Sequence, residues 1–267
     1  MIKSYFRKMT SIFRRGPDFI IVGAQKSGTT FLYWGLVESS SFVCPATKKE
    51  LHYFDGGLSR NNSNCDSILS YKENFPIRRK SVRSGESSPH YMFHPLAPGR
   101  IFRHYPDVKI ICVLRDPSAR AVSHYYHEKR KSRESLAMYE AFLCGEEIVS
   151  DLIKREDYDN PLLSYKSYLR KGCYSEQIER YCNTFGHEQI KVVGFRDLIG
   201  DPDQAVGDVL TFLGVPQDKQ ADFVPRNQFP SKNELDENSM KLLDEYYLEE
   251  EIKMNKLLSS MSCQIKW

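Results

Sequence analysis

No apolar run in the chain approaches the roughly 18 residues that a membrane-crossing helix needs, so a spanning protein is not expected. There is no Cys-x-x-Cys pair: Cys44, Cys65, Cys112, Cys144, Cys173, Cys182 and Cys263 are scattered and odd in number. Such spacing argues against structural zinc and against a disulfide framework. It favours free thiols in a reducing, cytoplasmic setting. Charge of one sign is also in short supply, since 38 Lys and Arg stand against 35 Asp and Glu. A formal +3 is too small to argue for nucleic acid as a partner. Neither an internal repeat nor a Gly/Ser- or Pro-rich linker divides the 267 residues. The expectation is one domain, 17–267, behind a basic segment, 1–16. With 40% hydrophobic and 27% charged residues, disordered and collagen-like classes are excluded.

What is present begins with that basic segment. Lys3, Arg7, Lys8, Arg14 and Arg15 fall where there is no acid, and Ile2, Phe6, Met9 and Phe13 recur at helical spacing. The pattern predicts a short basic amphipathic helix. Docking on its own domain or fraying is one reading; a membrane-surface contact or transit peptide is the other. Beyond it, strands and helices alternate. Phe19-Ile20-Ile21-Val22, Lys109 to Leu114 and Ile190 to Gly194 are buried-strand runs, with 81–87 a weaker one. Helical stretches are expected at 31–37, 117–130 and 205–213, and long ones at 161–182 and 234–260. Continuous β-branched runs between helices point to a parallel sheet covered on both faces, an α/β fold.

The first strand enters Gly23-Ala24-Gln25-Lys26-Ser27-Gly28-Thr29-Thr30 and then a helix. Gly23 and Gly28 permit tight turns, and successive N–H groups at a helix N-terminus offer donors to an anion. The nucleoside triphosphatase loop reads G-x-x-x-x-G-K-[ST]. Here the gap between glycines is kept, but Thr29 follows Gly28 and the lysine lies inside the loop as Lys26. That displacement points to a phosphate ligand with a shorter 5′ chain and no obligatory metal. The fold expected around such a loop is the P-loop-NTPase-like one, three layers with a central parallel β-sheet flanked by helices. A glycine turn that merely joins strand to helix is the alternative.

Two further stretches carry chemistry. Leu114-Arg115-Asp116-Pro117-Ser118-Ala119-Arg120-Ala121-Val122-Ser123-His124-Tyr125 leaves the second strand and opens a helix, and Lys48-Lys49-Glu50-Leu51-His52-Tyr53-Phe54-Asp55 lies before it. Residues 23–30 resemble the 5′-phosphosulfate loop of sulfotransferases that use 3′-phosphoadenosine 5′-phosphosulfate (PAPS), particularly the heparan sulfate branch with its N-sulfotransferase domain. The resemblance implies that Gln25, Lys26, Ser27, Gly28, Thr29 and Thr30 cradle the phosphosulfate. Arg115 and Ser123, similar to the family's 3′-phosphate motif, would hold that phosphate, a guanidinium gripping it bidentately and a hydroxyl adding a donor. For Arg115 the alternative is a capping or ion-pairing role beside Asp116.

Carried over in the same way, Glu50 is the general base that takes the acceptor's proton, kept ionised by Lys48 and Lys49. His52 is the second candidate base. The plain alternatives are a Glu50–lysine pair on a surface loop and a structural His52. Gly85-Glu86-Ser87-Ser88-Pro89-His90-Tyr91 is similar to the family's substrate-cleft strand end. Glu86 is either a second cleft carboxylate or a strand-end residue. Tyr53 and Tyr91, with His52, are assigned to the acceptor. Ser87 stands where several relatives have lysine, which argues against a highly sulfated acceptor. Leu169-Arg170-Lys171-Gly172-Cys173-Tyr174 resembles an Arg-Gly-x-Tyr pattern with an inserted lysine, and places Tyr174 at the nucleotide edge. Arg226 or Lys232 would close over the 3′-phosphate, unless they are solvated charge.

The function so implied is sulfuryl transfer from PAPS to a hydroxyl or amine, leaving 3′,5′-ADP (PAP), with Lys26 stabilising the leaving phosphate and no metal required. A glycan is the first acceptor class and a small metabolite the second. The basic runs Arg78-Arg79-Lys80 and His127-Glu128-Lys129-Arg130-Lys131 would guide an acidic glycan, or are solvated faces. The rivals are a P-loop kinase or NTPase, which Thr29 opposes, and a non-catalytic glycan-binding module.

Overall fold

The structure, a computed structural model, describes residues 2–56, 67–223, 236–261 and 263–265. Arg226 and Lys232 lie outside the described residues. In chain order the elements are α1 (Ile2–Met9), β1 (Phe19–Gly23), α2 (Thr29–Ser39), β2 (Val43–Pro45), α3 (Ile68–Lys72), β3 (Arg83–Ser87), α4 (Ala97–His104) and β4 (Lys109–Leu114). There follow α5 (Pro117–Arg130), α6 (Met138–Lys154), α7 (Pro161–Tyr165), α8 (Tyr174–Phe185), β5 (Ile190–Gly194), α9 (Phe195–Gly200), α10 (Pro202–Phe212) and α11 (Glu237–Ser260).

The five strands form one sheet in the order β2-β3-β1-β4-β5, every pairing parallel. Period-2 geometry sends neighbouring residues to opposite faces. Ile20, Val22, Ile110, Cys112 and Leu114 face one apolar core with Ile101 of α4, Ile178 of α8 and Met254 of α11. Phe19, Ile21, Ile111 and Val113 face a second with Leu32 and Leu36 of α2 and Val206 and Val209 of α10. Because helices cover both faces, the central strands β1 and β4 read as near-continuous apolar runs, whereas β3 is polar in sequence yet largely buried. Helix, sheet, helix makes the three layers. A third cluster, in which Ala121 and Tyr125 of α5 meet Phe142 of α6 and Tyr247 of α11, anchors α5 beside the sheet.

One expected helix is broken, and the basic segment takes the docked course, one of its two readings. The helix expected over 161–182 is broken into α7, a 3-10 turn at Arg170–Gly172 and α8. The chain must pass close beneath α11 there: a Cβ on Gly172 would lie 2.5 Å from the Tyr247 hydroxyl. The basic segment does form α1 and a following 3-10 turn, but it docks through its arginines. Arg7 Nη1 donates to Glu73 O at 3.1 Å and buried Arg14 Nη1 to Phe75 O at 2.6 Å, while Phe6, Met9, Ile12 and Phe13 stay exposed. Among the described residues no helix is long and apolar enough to cross a membrane.

Candidate active site

The strand order reverses about β1, whose chain continues toward β2 and β3 while β4 and β5 lie on the other side. In open parallel sheets ligands bind beyond the carboxyl ends of the strands at such a switch point. The loop after β1 and the turn after β4 meet there. Ala24 N donates to Val113 O at 2.8 Å, which ties the loop to β4. Gly28 takes a left-handed conformation (φ 89°) as the N-cap of α2, and a Cβ on it would press within 3.1 Å of Phe195. Only glycine turns this corner without strain. At Gly23 a Cβ would lie 2.6 Å from Met92 Cβ.

In front of the loop lies a cavity of about 420 Å³. Gln25, Lys26, Gly28, Thr29 and Thr30 form one wall, and Glu50 and His52 belong to another. Ser123 and His127 contribute from α5, one helical turn apart. Lys26 Nζ lies 3.4 Å from His127 Nδ1. Burial, then the charges of Arg130, Arg115 and Lys131, bring the Lys26 pKa down to about 8. Burial and Lys26 likewise push His127 down to about 4, so its neutral ring accepts from the lysine. Arg115 is buried, donates from Nη1 to Lys26 O at 3.3 Å, and stacks 4.9 Å above the Phe195 ring centroid.

Glu50, His52 and Asp55 form a short chain. His52 Nδ1 is 2.7 Å from Asp55 Oδ2 and Nε2 is 3.3 Å from Glu50 Oε2. Both ring nitrogens therefore face carboxylates, which favours the doubly protonated ring. Burial opposes that charge, but the bonds to Asp55 and Glu50 outweigh it and lift the His52 pKa to about 9. For Glu50, burial pushes upward and is overcome by His52 and by Lys49, whose Nζ lies 2.5 Å from Oε1; the result is about 2. At neutral pH Glu50 is a carboxylate and His52 an imidazolium. In this arrangement both His52 ring nitrogens are engaged by carboxylates, and both Glu50 oxygens by Lys49 and His52.

Several expected site residues lie elsewhere. Glu86 is fully buried beneath the Glu50 segment, accepting from Tyr71 Oη at 2.7 Å, Tyr91 Oη at 3.1 Å, Ser88 Oγ at 2.5 Å and Leu51 N at 3.1 Å. Tyr91 is equally buried, and its hydroxyl accepts from Tyr53 N at 2.7 Å. Tyr53 packs on Phe54 and Tyr71. None of the three lines the cavity. They brace the Glu50–Asp55 segment from behind. Tyr174 is also fully buried, its hydroxyl donating to Arg115 O at 2.9 Å, so it supports the turn after β4 without facing the cavity. Ser27 is buried and turned inward.

Part of the basic run His127–Lys131, read from the sequence as a glycan guide or a solvated face, lies at the cavity. His127, Arg130 and Lys131 line the cavity with Ser123, and the spacing 123, 127, 130/131 is that of one helix face. Their sequence signal was available as periodicity and is hidden when the run is read only as charge. Arg170 faces away, toward Glu146 of α6 at 2.6 Å. Lys171, read from the sequence as an insertion, turns inward to the loop, with Nζ donating to Gln25 Oε1 at 2.6 Å. Among the described residues no group of three or more His, Cys, Asp or Glu side chains is placed to hold a metal ion.

A glycine loop capping a helix at the switch point of a parallel sheet, fronted by cationic and hydroxyl side chains, defines an α/β protein of P-loop-like fold. Comparison with known proteins narrows the class. The sulfotransferase domain family matches residues 16–260, and the chain belongs to that family. A sulfotransferase structure from Alicyclobacillus acidocaldarius is 30% identical, superposes with a TM-score of 0.76, and matches over 94% of this chain and 97% of that one. The bifunctional heparan sulfate N-deacetylase/N-sulfotransferase 4 of Mus musculus is 28% identical over 274 residues, 91% of this chain and 30% of the relative. The corresponding Homo sapiens enzyme 3 is 31% identical over 210 residues, covering 75% and 22%. The chain thus spans under a third of the length of these curated relatives.

Proposed function

We propose that the cavity takes PAPS and that the protein transfers the sulfuryl group to a hydroxyl or amine of an acceptor, releasing PAP. The observation that carries this reading is that Lys26, Ser123 and Glu50, from three separate segments, line one cavity. The donor set suits a nucleotide with two phosphate ends. Lys26, the N–H groups at the start of α2, and Thr29 and Thr30 suit the 5′ side, and Ser123 the 3′-phosphate, with Arg115, which bonds the loop at Lys26 O but is not among the residues lining the cavity, as its partner there. Two carboxylates also line the cavity, Glu50 and Glu128, the latter paired with Arg133 Nε at 2.7 Å. Arg226 is carried with this group on the strength of the resemblance alone.

PAPS supplies an activated sulfuryl group on a phosphate leaving group. Lys26 holds a proton at that end of the cavity, and its positive charge lowers the barrier where negative charge builds. Loss of one such preorganised donor lowers rates by about 10²–10³. Glu50 accepts the proton from the acceptor's hydroxyl or amine. His52, held by Asp55, orients the Glu50 carboxylate, so Asp55 and His52 act through Glu50. Alignment of the two walls contributes the rest, as expected for a loose transfer reaction. Arg130, Lys131 and Arg133 at the cavity favour an acidic acceptor. With relatives named for heparan sulfate, a glycan is the leading acceptor class and a small metabolite the second.

The test pairs calorimetry with a transfer assay. PAP is expected to bind, with ATP or ATP–magnesium far weaker, and labelled sulfate to move from PAPS to members of a glycan and small-molecule panel. Tighter binding of ATP–magnesium than of PAP would sink the donor assignment. Binding of PAP with no transfer to any acceptor would instead support a non-catalytic module.

A further inference from the structure

Lys171 is 2% exposed and sits at the centre of the 3-10 turn between α7 and α8, behind the glycine loop. Its neighbours diverge from it. Arg170 reaches out to Glu146 and Ser150 on α6, and Gly172 lies under α11. Lys171 Nζ makes two hydrogen bonds, to Gln25 Oε1 at 2.6 Å and to Ser164 O at 2.7 Å, and lies 5.8 Å from the Phe93 ring centroid. None of these partners is a carboxylate. A buried ammonium without a counter-charge is costly to keep. Gln25 and Ser164 both line the cavity, whereas Lys171 does not. Whatever Lys171 does for a ligand passes through them.

The Gln25 side chain has two chemically opposite ends. Its carbonyl oxygen accepts and repels anions; its NH₂ donates and attracts them. The oxygen is held from behind the loop by Lys171, and Nε2 has no acceptor among the described residues. We propose that Lys171 is a positioning residue for the sulfuryl donor: it pins the Gln25 carboxamide with its NH₂ toward the cavity, so that the loop presents a hydrogen-bond donor to the phosphosulfate. Without the Lys171 donor, the amide is free to flip and turn its oxygen toward the anion. Burial pushes the Lys171 pKa well below the usual lysine range, and as ammonium or as neutral amine Nζ has the two donors that Gln25 Oε1 and Ser164 O take up. The inference rests on the donor reading above.

A double-mutant cycle tests it. PAP is titrated into the wild type, Lys171→Met, Gln25→Ala and the double variant, each first checked for a native near-ultraviolet CD spectrum. Each single variant is expected to bind PAP about tenfold more weakly, about 1.4 kcal/mol. The double variant should bind no more weakly than Gln25→Ala, because the lysine acts through the amide. Turnover assays should show the donor KM rising about tenfold with the acceptor KM unchanged. Additive losses, or wild-type affinity in Lys171→Met, would overturn the proposal. If that variant does not fold, Gln25→Glu carries the test. Its carboxylate pairs with Lys171 and offers the cavity no donor, so at least a tenfold loss is expected, and unchanged affinity overturns the idea. Should the wild type itself ignore PAP, the donor reading fails separately. The same cycle is then run with inorganic pyrophosphate, with the same non-additivity expected and additive losses refuting the inference.

Discussion

Replacing Lys26 with methionine separates what the loop needs for chemistry from what it needs to stay folded. The unfolded chain keeps Lys26 protonated up to about pH 10.5, the folded protein only to about pH 8. Below pH 8 both states hold the proton, and the folded state bears the full penalty of an ammonium among Arg130, Arg115 and Lys131. Between the two values the folded state sheds the proton first and the penalty fades. At about 1.4 kcal/mol per pH unit, the penalty at pH 7 is about 3 kcal/mol. Lys26→Met abolishes it but also loses the hydrogen bond to His127 Nδ1, about 0.5–1.5 kcal/mol. The variant should therefore be more stable than the wild type at pH 7 by about 2 kcal/mol, or roughly 4–8 °C in Tm for a protein of this size. The gain should vanish as the pH approaches 10.5. Saturating PAP should reverse the order, because ligand at about 100 times Kd adds about 2.7 kcal/mol to a protein that binds it. Differential scanning fluorimetry with and without PAP reads both effects, and turnover should fall by about 10²–10³. A variant less stable than the wild type without PAP, or one stabilised by PAP to the wild-type extent, would refute the reasoning.

Glu50→Gln should leave PAP affinity within about twofold while turnover drops by about 10²–10⁴, as loss of a general base does; retained turnover would remove Glu50 from the reaction. For Arg115→Ala the expectation runs the other way, with PAP binding at least tenfold weaker by calorimetry. Activity should also fall on the alkaline side: kcat/KM declines above about pH 8 as Lys26 loses its proton, and again near pH 9 as the His52 imidazolium does. A flat kcat/KM up to pH 10 would contradict both assignments. Glu86→Ala strands three buried hydroxyl donors, of Tyr71, Tyr91 and Ser88, while Leu51 N keeps Ser88 Oγ, and should cost about 3–5 kcal/mol in urea unfolding; a change below about 1 kcal/mol would deny its bracing role.

How far the site could be read in advance depends on the range of the interactions that make it. Residues 23–30 and 114–123 are local signals. A strand must end, a glycine must turn, and a helix must begin within a dozen residues, so spacing alone carries the geometry. Glu50 and His52 were legible as chemistry, but not the direction of their protons. That is set by Asp55, buried behind His52, and by Lys49 beside Glu50. Glu86 and Tyr91 look like cleft residues from their types and become a buried hub, because Tyr71 of α3 folds over them. No spacing in the chain links α3 to the end of β3.

By itself the sequence determined the parallel sheet, the glycine loop and the family. These follow from continuous apolar runs, glycine positions and one displaced lysine, all short-range features. Only the tertiary structure decided which charged side chains share the cavity, which are buried as supports, and that Lys171 rather than Arg170 turns to the loop. Those outcomes depend on helices far apart in the chain closing over the same strand ends, where burial and neighbouring charge, not residue type, set each group's proton and partner.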